Sequence, residues 1–114
     1  DVIYFAPGGD LTNVDDLPAH GAAIESTYPN PFNPLIRVRY AVSIQDDGAN
    51  LALDILDVRG RLVRTLAWGP GAAGRHEVAW DGTDATGRRL PSGAYFVRLR
   101  GRSGQQIRSI TMVK

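Results

Sequence analysis

The chain of 114 residues contains no cysteine, and this absence excludes several kinds of site. Without thiols the protein can form neither a disulfide bridge nor a thiolate metal site. A cysteine nucleophile is excluded for the same reason. The absence leaves the cellular compartment open, because many bacterial surface proteins avoid cysteine.

Long apolar runs are equally scarce. No stretch approaches the roughly 18 residues needed to span a bilayer, so we predict no membrane-spanning segment. No basic region followed by an apolar one stands at the start, and the first residue is Asp1 rather than Met. We therefore expect the chain to be an excerpt, or the mature end, of a longer protein.

Basic residues are almost all of one type, since arginine occurs 12 times and lysine once, at Lys114. They are also unevenly distributed. Residues 1–34 carry five acidic residues and no basic one, whereas residues 35–114 carry 13 basic and seven acidic residues. Opposite charge in neighbouring segments favours a tail or linker that lies against its own domain.

Some arginines are predicted to lie on the solvent-facing sides of strands. A basic stripe of this kind is typical of nucleic-acid binding, but the pI near 8.4 is modest. The aromatic residues also fall mostly on the opposite faces, so we predict no nucleic-acid partner and a solvated sheet surface. An anionic partner, such as a polysaccharide or lipopolysaccharide, is the alternative. The arginines in question are Arg37, Arg39, Arg98, Arg100 and Arg102.

Residues 1–23 differ in pattern from the rest of the chain. They are rich in Gly, Pro, Asp and Asn and keep no regular period, which predicts a linker or the end of a preceding domain. The segment contains one strand-like run. We interpret this run as the last strand of a preceding domain or as an added edge strand; it consists of Val2, Ile3, Tyr4 and Phe5.

From residue 24 onward, apolar and polar residues alternate with a period of two. This alternation predicts antiparallel strands with one buried face. Turn residues separate about seven such strands at intervals of roughly 10–15 residues. We therefore predict an all-β fold, an immunoglobulin-like antiparallel β-sandwich over residues 24–114. The alternating positions include Ile36, Val38, Tyr40, Val42, Leu51, Leu53, Ile55, His76, Val78, Trp80, Tyr95, Val97 and Leu99.

Four segments carry more specific information than the alternation does. They are Tyr28–Pro34, Asp57–Val63, Gly74–Gly82 and Ser92–Leu99. In this order and spacing they resemble the C-terminal sorting domain (type A) of type IX secretion cargo and the related Ig-like domain of flagellar hook-capping proteins. The resemblance covers about residues 25–114.

The resemblance to sorting domains implies a non-catalytic sorting and anchoring function. Such a domain directs a secreted passenger across the bacterial outer membrane, where a surface protease removes it and joins the passenger to lipopolysaccharide. The implied partners are the secretion translocon and this surface-attachment protease, and the implied location is extracellular or at the outer-membrane surface. The implied recognition residues are Tyr28, Pro29, Asn30, Pro31, Asn33, Pro34, Gly93, Tyr95, Arg108 and Lys114.

The proline-rich heptad Tyr28–Pro34 also has local physical consequences. Its three prolines lack N–H donors, so we expect the segment to stay outside the sheet ladders and to form a rigid start of the sandwich. The side chains of Asn30 and Asn33 are expected to close local turns over the backbone.

Two carboxylates in a glycine-rich loop, Asp81 and Asp84, are candidate calcium ligands. Their spacing is not that of an EF-hand, and Asp is common in turns, so turn capping is favoured over metal binding. We predict no cofactor and no enzymatic activity, because no nucleophile elbow, zinc-binding His pair or phosphate-binding glycine loop occurs. His76 is expected to face the core or its rim.

A structural or adhesive extracellular module is the alternative function. In that case the chain is a filament or surface-layer subunit, and it self-assembles when Val2–Phe5 adds as a strand to a neighbouring sandwich. The strand-like run, the linker that follows it and the exposed sheet edges expected of a sandwich favour this alternative.

Overall fold

The computed structural model describes residues 3–5, 11–13, 17, 18 and 20–114. Within these ranges the backbone forms β-strands and one short 3-10 helix, Ile44–Asp46. The strands are β1 (Ile3–Phe5), β2 (Leu11–Asn13), β3 (Ala22–Tyr28), β4 (Ile36–Val42), β5 (Asn50–Leu56), β6 (Leu62–Pro70), β7 (Gly74–Trp80), β8 (Gly93–Gly101) and β9 (Gly104–Met112).

The strands β3 to β9 form two antiparallel sheets. One sheet has the order β3-β4-β7 and the other has the order β6-β5-β8-β9. The predicted fold, an immunoglobulin-like antiparallel sandwich of about seven strands, is confirmed. Strand β3 begins at Ala22, two residues before the expected start of the sandwich, and the division of the chain into domains at residue 24 stays a prediction.

The strand-like run near the start of the chain pairs locally. Strands β1 and β2 are antiparallel, with Ile3 opposite Asn13 and Phe5 opposite Leu11, and they form a two-stranded sheet of their own. Val2, the first residue of the predicted run, lies outside the described residues.

Strand β4 shows how the alternation builds the core. Ile36, Val38 and Tyr40 are at most 6% exposed, whereas Arg37 and Arg39 between them are exposed. The inner faces of the two sheets meet over one apolar core. Its buried members are Ile24, Phe32, Ile36, Val38, Tyr40, Val42, Leu51, Leu53, Ile55, Trp80, Tyr95, Val97, Leu99, Ile110 and Met112.

Strand β5 departs from the simple alternation, because both of its faces are buried. Leu53 and Ile55 point into the core, yet Asp54 and Leu56 on the outer face are also only 1% and 6% exposed. Strand β5 lies between β6 and β8, and the longer side chains of these neighbours cover its outer face. The prediction of one buried and one solvent-exposed face therefore holds for β4 but not for β5.

The turn between β5 and β6 depends on Gly60. Gly60 has a φ of +82°, which a residue without a Cβ adopts at little cost. The Gly60 N–H donates to the Asp57 carbonyl at 2.9 Å, and the Asp57 N–H donates to the Arg61 carbonyl at 2.9 Å. These bonds close the short loop over which the chain reverses direction.

Candidate functional site

The proline-rich heptad contacts the last strand of the sandwich. The Phe32 N–H donates to the Thr111 carbonyl at 2.9 Å, and the Phe32 carbonyl accepts from the Val113 N–H at 2.8 Å. These bonds form a parallel bridge to Met112. The expectation that the heptad stays outside the sheet ladders is therefore wrong at Phe32, because this residue keeps the N–H that its proline neighbours lack.

Asn30 strengthens the same junction. Its side-chain oxygen accepts from the Thr111 N–H at 3.0 Å, and its amide nitrogen lies 3.4 Å from the Ser109 carbonyl. The prediction of a local turn is wrong for Asn30, because its side chain bonds to backbone groups of β9, which are remote in the sequence. Asn33 is exposed, and its predicted turn stays a prediction. The other heptad residues of the predicted site are exposed or half-buried: Tyr28, Pro29, Pro31 and Pro34.

Aromatic side chains close the core at this end of the sandwich. Trp80 is 1% exposed, and its ring centroid lies 5.6 Å from that of Phe32 and 5.4 Å from that of Tyr95. Tilted and edge-on contacts of this kind add to the gain from burying the rings. We call the cluster of Phe32, Trp80, Tyr95 and Met112 the aromatic end.

The polar atoms of the aromatic end are paired. The Trp80 indole N–H donates to the Thr83 carbonyl at 2.8 Å, and the Tyr95 hydroxyl donates to the Pro91 carbonyl at 2.6 Å. Burial raises the pKa of Tyr95 above its ordinary value of 10.0. Gly93 begins β8 with a φ of +145°. These predicted site residues have structural contacts within the chain.

Arg108 and Lys114 lie on and just after the last strand. The Arg108 guanidinium donates to the Ile24 carbonyl at 2.9 Å and to the Glu25 carbonyl at 3.3 Å. The pairing of β3 with β4 is irregular at this point, so Arg108 satisfies carbonyls at a bulge. The backbone N–H of Lys114 donates to the Ser92 hydroxyl at 3.1 Å.

The candidate calcium ligands cap turns. Asp81 accepts from the Thr83 hydroxyl at 2.5 Å, and Asp84 accepts from the Thr86 hydroxyl at 2.7 Å and from the Arg88 N–H at 3.0 Å. Hydrogen bonds from these threonine hydroxyls are the main cause that lowers the pKa of each carboxyl below its ordinary value of 3.8. Among the described residues, no group of three or more His, Asp or Glu side chains could hold a metal ion.

Two buried carboxylates were not predicted as special. Asp54 lies 2.9 Å from Arg98 and 3.1 Å from Arg100, and it accepts from the Thr65 hydroxyl at 3.0 Å. Asp46 accepts from the Gly21 N–H and pairs with Arg102. In the sequence Asp54 occupies an outer position of an alternating strand and Asp46 occupies a turn, so neither position indicates burial.

The predicted row of solvated arginines divides between the two sheets. Arg37 and Arg39 on β4 pair with Glu77, at 3.6 and 2.8 Å. Arg98, Arg100 and Arg102 belong to β8 and the turn after it, where they pair with the carboxylates already described. His76 is half-buried at the rim of the core, and its ring stacks on Tyr40 at 5.2 Å.

The second tryptophan was also missed. Trp68 lies on β6, an edge strand of the four-stranded sheet, and is 82% exposed. An open groove of about 580 Å³ lies beside it. We call this groove the Trp68 groove; residues that line it include Ala52, Asp54, Leu62, Thr65, Trp68 and Arg100. No signal in the sequence identified it, because the edge position of β6 is set only in the assembled sheet.

Membrane insertion by a helix finds no support in the part of the chain that the structure describes. No helix there has the length and apolar character needed to cross a bilayer.

Most of the sandwich matches a known protein family. A family model described as the FlgD Ig-like domain matches residues 36–112. A curated relative, the basal-body rod modification protein FlgD of Salmonella typhimurium, is 31% identical over 86 residues. The match covers 75% of this chain and 33% of the relative. The chain thus spans about a third of the length of that relative.

Solved structures share the fold at lower identity. Dimeric latent PorU from Porphyromonas gingivalis matches with a TM-score of 0.65 and 24% identity, over 81% of this chain and 9% of that chain. FlgD from P. aeruginosa matches with a TM-score of 0.50 and 20% identity, over 82% of this chain and 67% of that chain. At such identities these likenesses show the fold alone.

The family match overturns the predicted function. The prediction of a type IX sorting and anchoring domain is wrong, as is the alternative of an adhesive or filament module that assembles by strand addition. The partners predicted with these functions are wrong as well: the translocon, the surface-attachment protease, lipopolysaccharide or polysaccharide, and self-assembly. The extracellular or outer-membrane location is likewise wrong.

The physical reason for the wrong prediction lies in what the quoted motifs do. The heptad, the turn at Gly60 and the segment around Tyr95 build turns and core contacts of the sandwich. Contacts of this kind stabilise the fold and do not depend on one particular function. The motifs therefore indicated the shared sandwich and did not distinguish one use of it from another.

Proposed function

Because this chain belongs to the family of FlgD Ig-like domains, we propose that it is the immunoglobulin-like module of a flagellar assembly protein and acts there as a non-catalytic scaffold. The observation that carries the proposal is the extent of the match, which begins at the first residue of β4 and ends at the last residue of β9. The relatives that it resembles are named as basal-body rod modification proteins.

The state of the acidic groups supports a scaffold over an enzyme. Among the described residues, each carboxyl with a shifted pKa has it lowered below the ordinary value, because it accepts hydrogen bonds and faces arginines. A general acid or base at neutral pH needs a pKa near 7, and these shifts move the carboxyls away from that value. Their interactions hold turns and sheets together.

We further propose a structural role for the site residues that the sequence indicated. The heptad and Arg108 connect the last strand to the rest of the sandwich through backbone and side-chain hydrogen bonds, and the Tyr95 hydroxyl donates to the Pro91 carbonyl in the loop before β8. A scaffold module must keep its shape, and β9 is attached on both of its sides, to β8 and to Phe32. We place the module at residues 24–114, with the preceding residues as its connection.

The proposal is tested by removing the codons for residues 24–112 from the gene in the bacterium of origin. We expect cells with incomplete hook-basal bodies under the electron microscope and no swimming in soft agar. An immunoblot checks that the shortened protein is still present.

A module exchange controls for damage to the rest of the protein. Residues 36–112 are replaced by the matching segment of the Salmonella relative, which should restore swimming at least in part. Normal hooks and normal swimming after the deletion would refute the proposed function.

A further inference from the structure

The outer face of the four-stranded sheet is built in cross-strand rows. Trp68 is opposite Ala52, which in turn is opposite Arg100. Directly paired residues lie on the same face of a sheet. The middle of this row is only a methyl group, so two large side chains stand on either side of a depression. The Trp68 groove lies at this depression.

The next two rows supply the floor and one wall of the groove. Thr65 is opposite Asp54, whose carboxylate is 1% exposed and bonded. Leu62, opposite Leu56, is 56% exposed. With Trp68 this leucine gives the groove two apolar side chains that solvent reaches.

The exposed charge of the groove is positive, because the Asp54 side chain is buried whereas the Arg100 side chain is half exposed. Asp54 carries one negative charge and has two arginines within 3.1 Å, Arg98 and Arg100. The Arg100 side chain is 51% exposed, and a guanidinium has five donors of which this contact uses few. A carboxylate that enters the groove would complement this excess of positive charge.

We propose that the Trp68 groove docks a segment of a protein partner in which apolar side chains stand next to carboxylates. The apolar side chains pack against Trp68 and Leu62, and a carboxylate pairs with Arg100. Trp and Arg are the residue types that dominate the energy of protein interfaces. The proposal rests on the scaffold function above, since it names the surface that such a scaffold would use.

The outer face of the three-stranded sheet shows what a face without this role looks like. Arg37 and Arg39 pair with Glu77, and Arg75 pairs with Glu25 at 2.8 Å. Two arginines there share one glutamate, so this face also carries an excess of positive charge, but no exposed tryptophan among the described residues stands beside it. That face therefore supplies matched control positions.

The test measures peptide binding to the 114-residue chain by fluorescence anisotropy. The probe is a fluorescein-labelled nonapeptide, Gly-Asp-Glu-Leu-Phe-Asp-Glu-Gly-Ser. Two control peptides carry Lys in place of the four acidic residues, or Ser in place of Leu and Phe. We expect both control peptides to bind at least about tenfold more weakly than the probe.

Variants of the chain locate the binding. Trp68→Ala and Arg100→Met should each weaken binding of the probe about tenfold or more. Arg37→Met, which removes an equal charge from the other outer face, should leave it unchanged. Absence of probe binding, preference for the Lys peptide, or full binding by Trp68→Ala would overturn the proposal.

Three further outcomes are decisive. A blue shift of Trp68 emission with phosphatidylglycerol vesicles, and none with the probe, would overturn the protein partner in favour of a lipid surface. In cells, a severe deletion phenotype with normal swimming by the Trp68→Ala strain would refute the groove and leave the scaffold function standing. Trp68-dependent probe binding with a harmless deletion would refute the scaffold function and leave the groove standing.

Discussion

The two tryptophans of this chain lie in opposite environments. Trp80 is 1% exposed, packs between two other aromatic rings and donates its N–H to a carbonyl. Trp68 is 82% exposed beside an open groove. The same type of side chain is therefore buried in the core in one region and exposed to solvent in the other.

Sheet order is the origin of this difference. Trp80 ends β7 with its ring on the inner face, where Phe32 from the heptad and Tyr95 from β8 cover it. Trp68 lies on β6, which pairs with β5 alone in the four-stranded sheet. Core packing thus explains the presence of Trp80 but not that of Trp68, which the proposed docking surface would explain.

Replacing each tryptophan with alanine tests the comparison most strongly. Trp80→Ala should lower the free energy of unfolding by about 3–5 kcal/mol, because it leaves a cavity among Phe32, Tyr95 and Met112. Trp68→Ala should change it by no more than about 0.5 kcal/mol, because little of that side chain is buried. Urea unfolding followed by circular dichroism measures both, and equal losses would contradict the assignment of the two environments.

A pair of glycines sharpens the comparison at a smaller scale. Gly82 and Gly69 both have positive φ, of +81° and +105°, so alanine costs roughly 1–2 kcal/mol of backbone strain at either site. A Cβ at Gly82 would lie 2.7 Å from the Met112 sulfur, whereas one at Gly69 would meet nothing within 4 Å.

Gly82→Ala should therefore destabilise the protein by roughly 1 kcal/mol more than Gly69→Ala does. Gly69→Ala is the matched control for the strain that the two variants share. Thermal unfolding at one pH measures the difference. A larger loss in Gly69→Ala would mean that the aromatic end is not the more tightly packed region.

Acidic pH should destabilise the region around Trp80, and we expect this effect to be the smallest of the three. The Thr83 hydroxyl is the main cause that lowers the pKa of Asp81 below 3.8, and Thr83 also accepts the N–H of Trp80. A carboxyl whose pKa is lower in the folded state stabilises the protein above its unfolded pKa, and this stabilisation is lost as the pH falls through the folded pKa.

The melting temperature of the wild type should therefore fall below about pH 4 more steeply than that of Asp81→Asn, which has no charge to lose at this position. Trp68→Ala should follow the wild-type profile, since Trp68 has no part in this loop. Parallel pH profiles for the wild type and Asp81→Asn would show that Asp81 contributes no such stability.

The alternating strands were predictable because their signal is local. Residues such as Ile36, Val38 and Tyr40 face one way in any strand, whatever its neighbours, and the structure buries them. Gly60 in a short polar loop similarly indicated the turn between β5 and β6. These features depend on the backbone geometry of a few consecutive residues.

The polar contacts were not predictable because their partners are remote in the sequence. Asn30 bonds to Thr111 across 81 residues, and Arg98 reaches Asp54 across 44. Such pairs meet only after the strands have taken their order in the sheets. Asn30 was consequently expected to close a local turn, and nothing in the sequence singled out Asp54.

The sequence by itself determined that this protein is a β-sandwich, since a period of two and glycine-bearing turns suffice to specify antiparallel strands with an apolar face. It placed Trp80 among the alternating apolar positions, but it gave no face for Trp68. Trp68 and Trp80 both occupy strands, and only the tertiary structure, through the edge position of β6 and the cover that the heptad supplies to β7, left one exposed and buried the other. Whether a side chain is buried depends on the residues around it, and these are set only when the strands assemble into sheets.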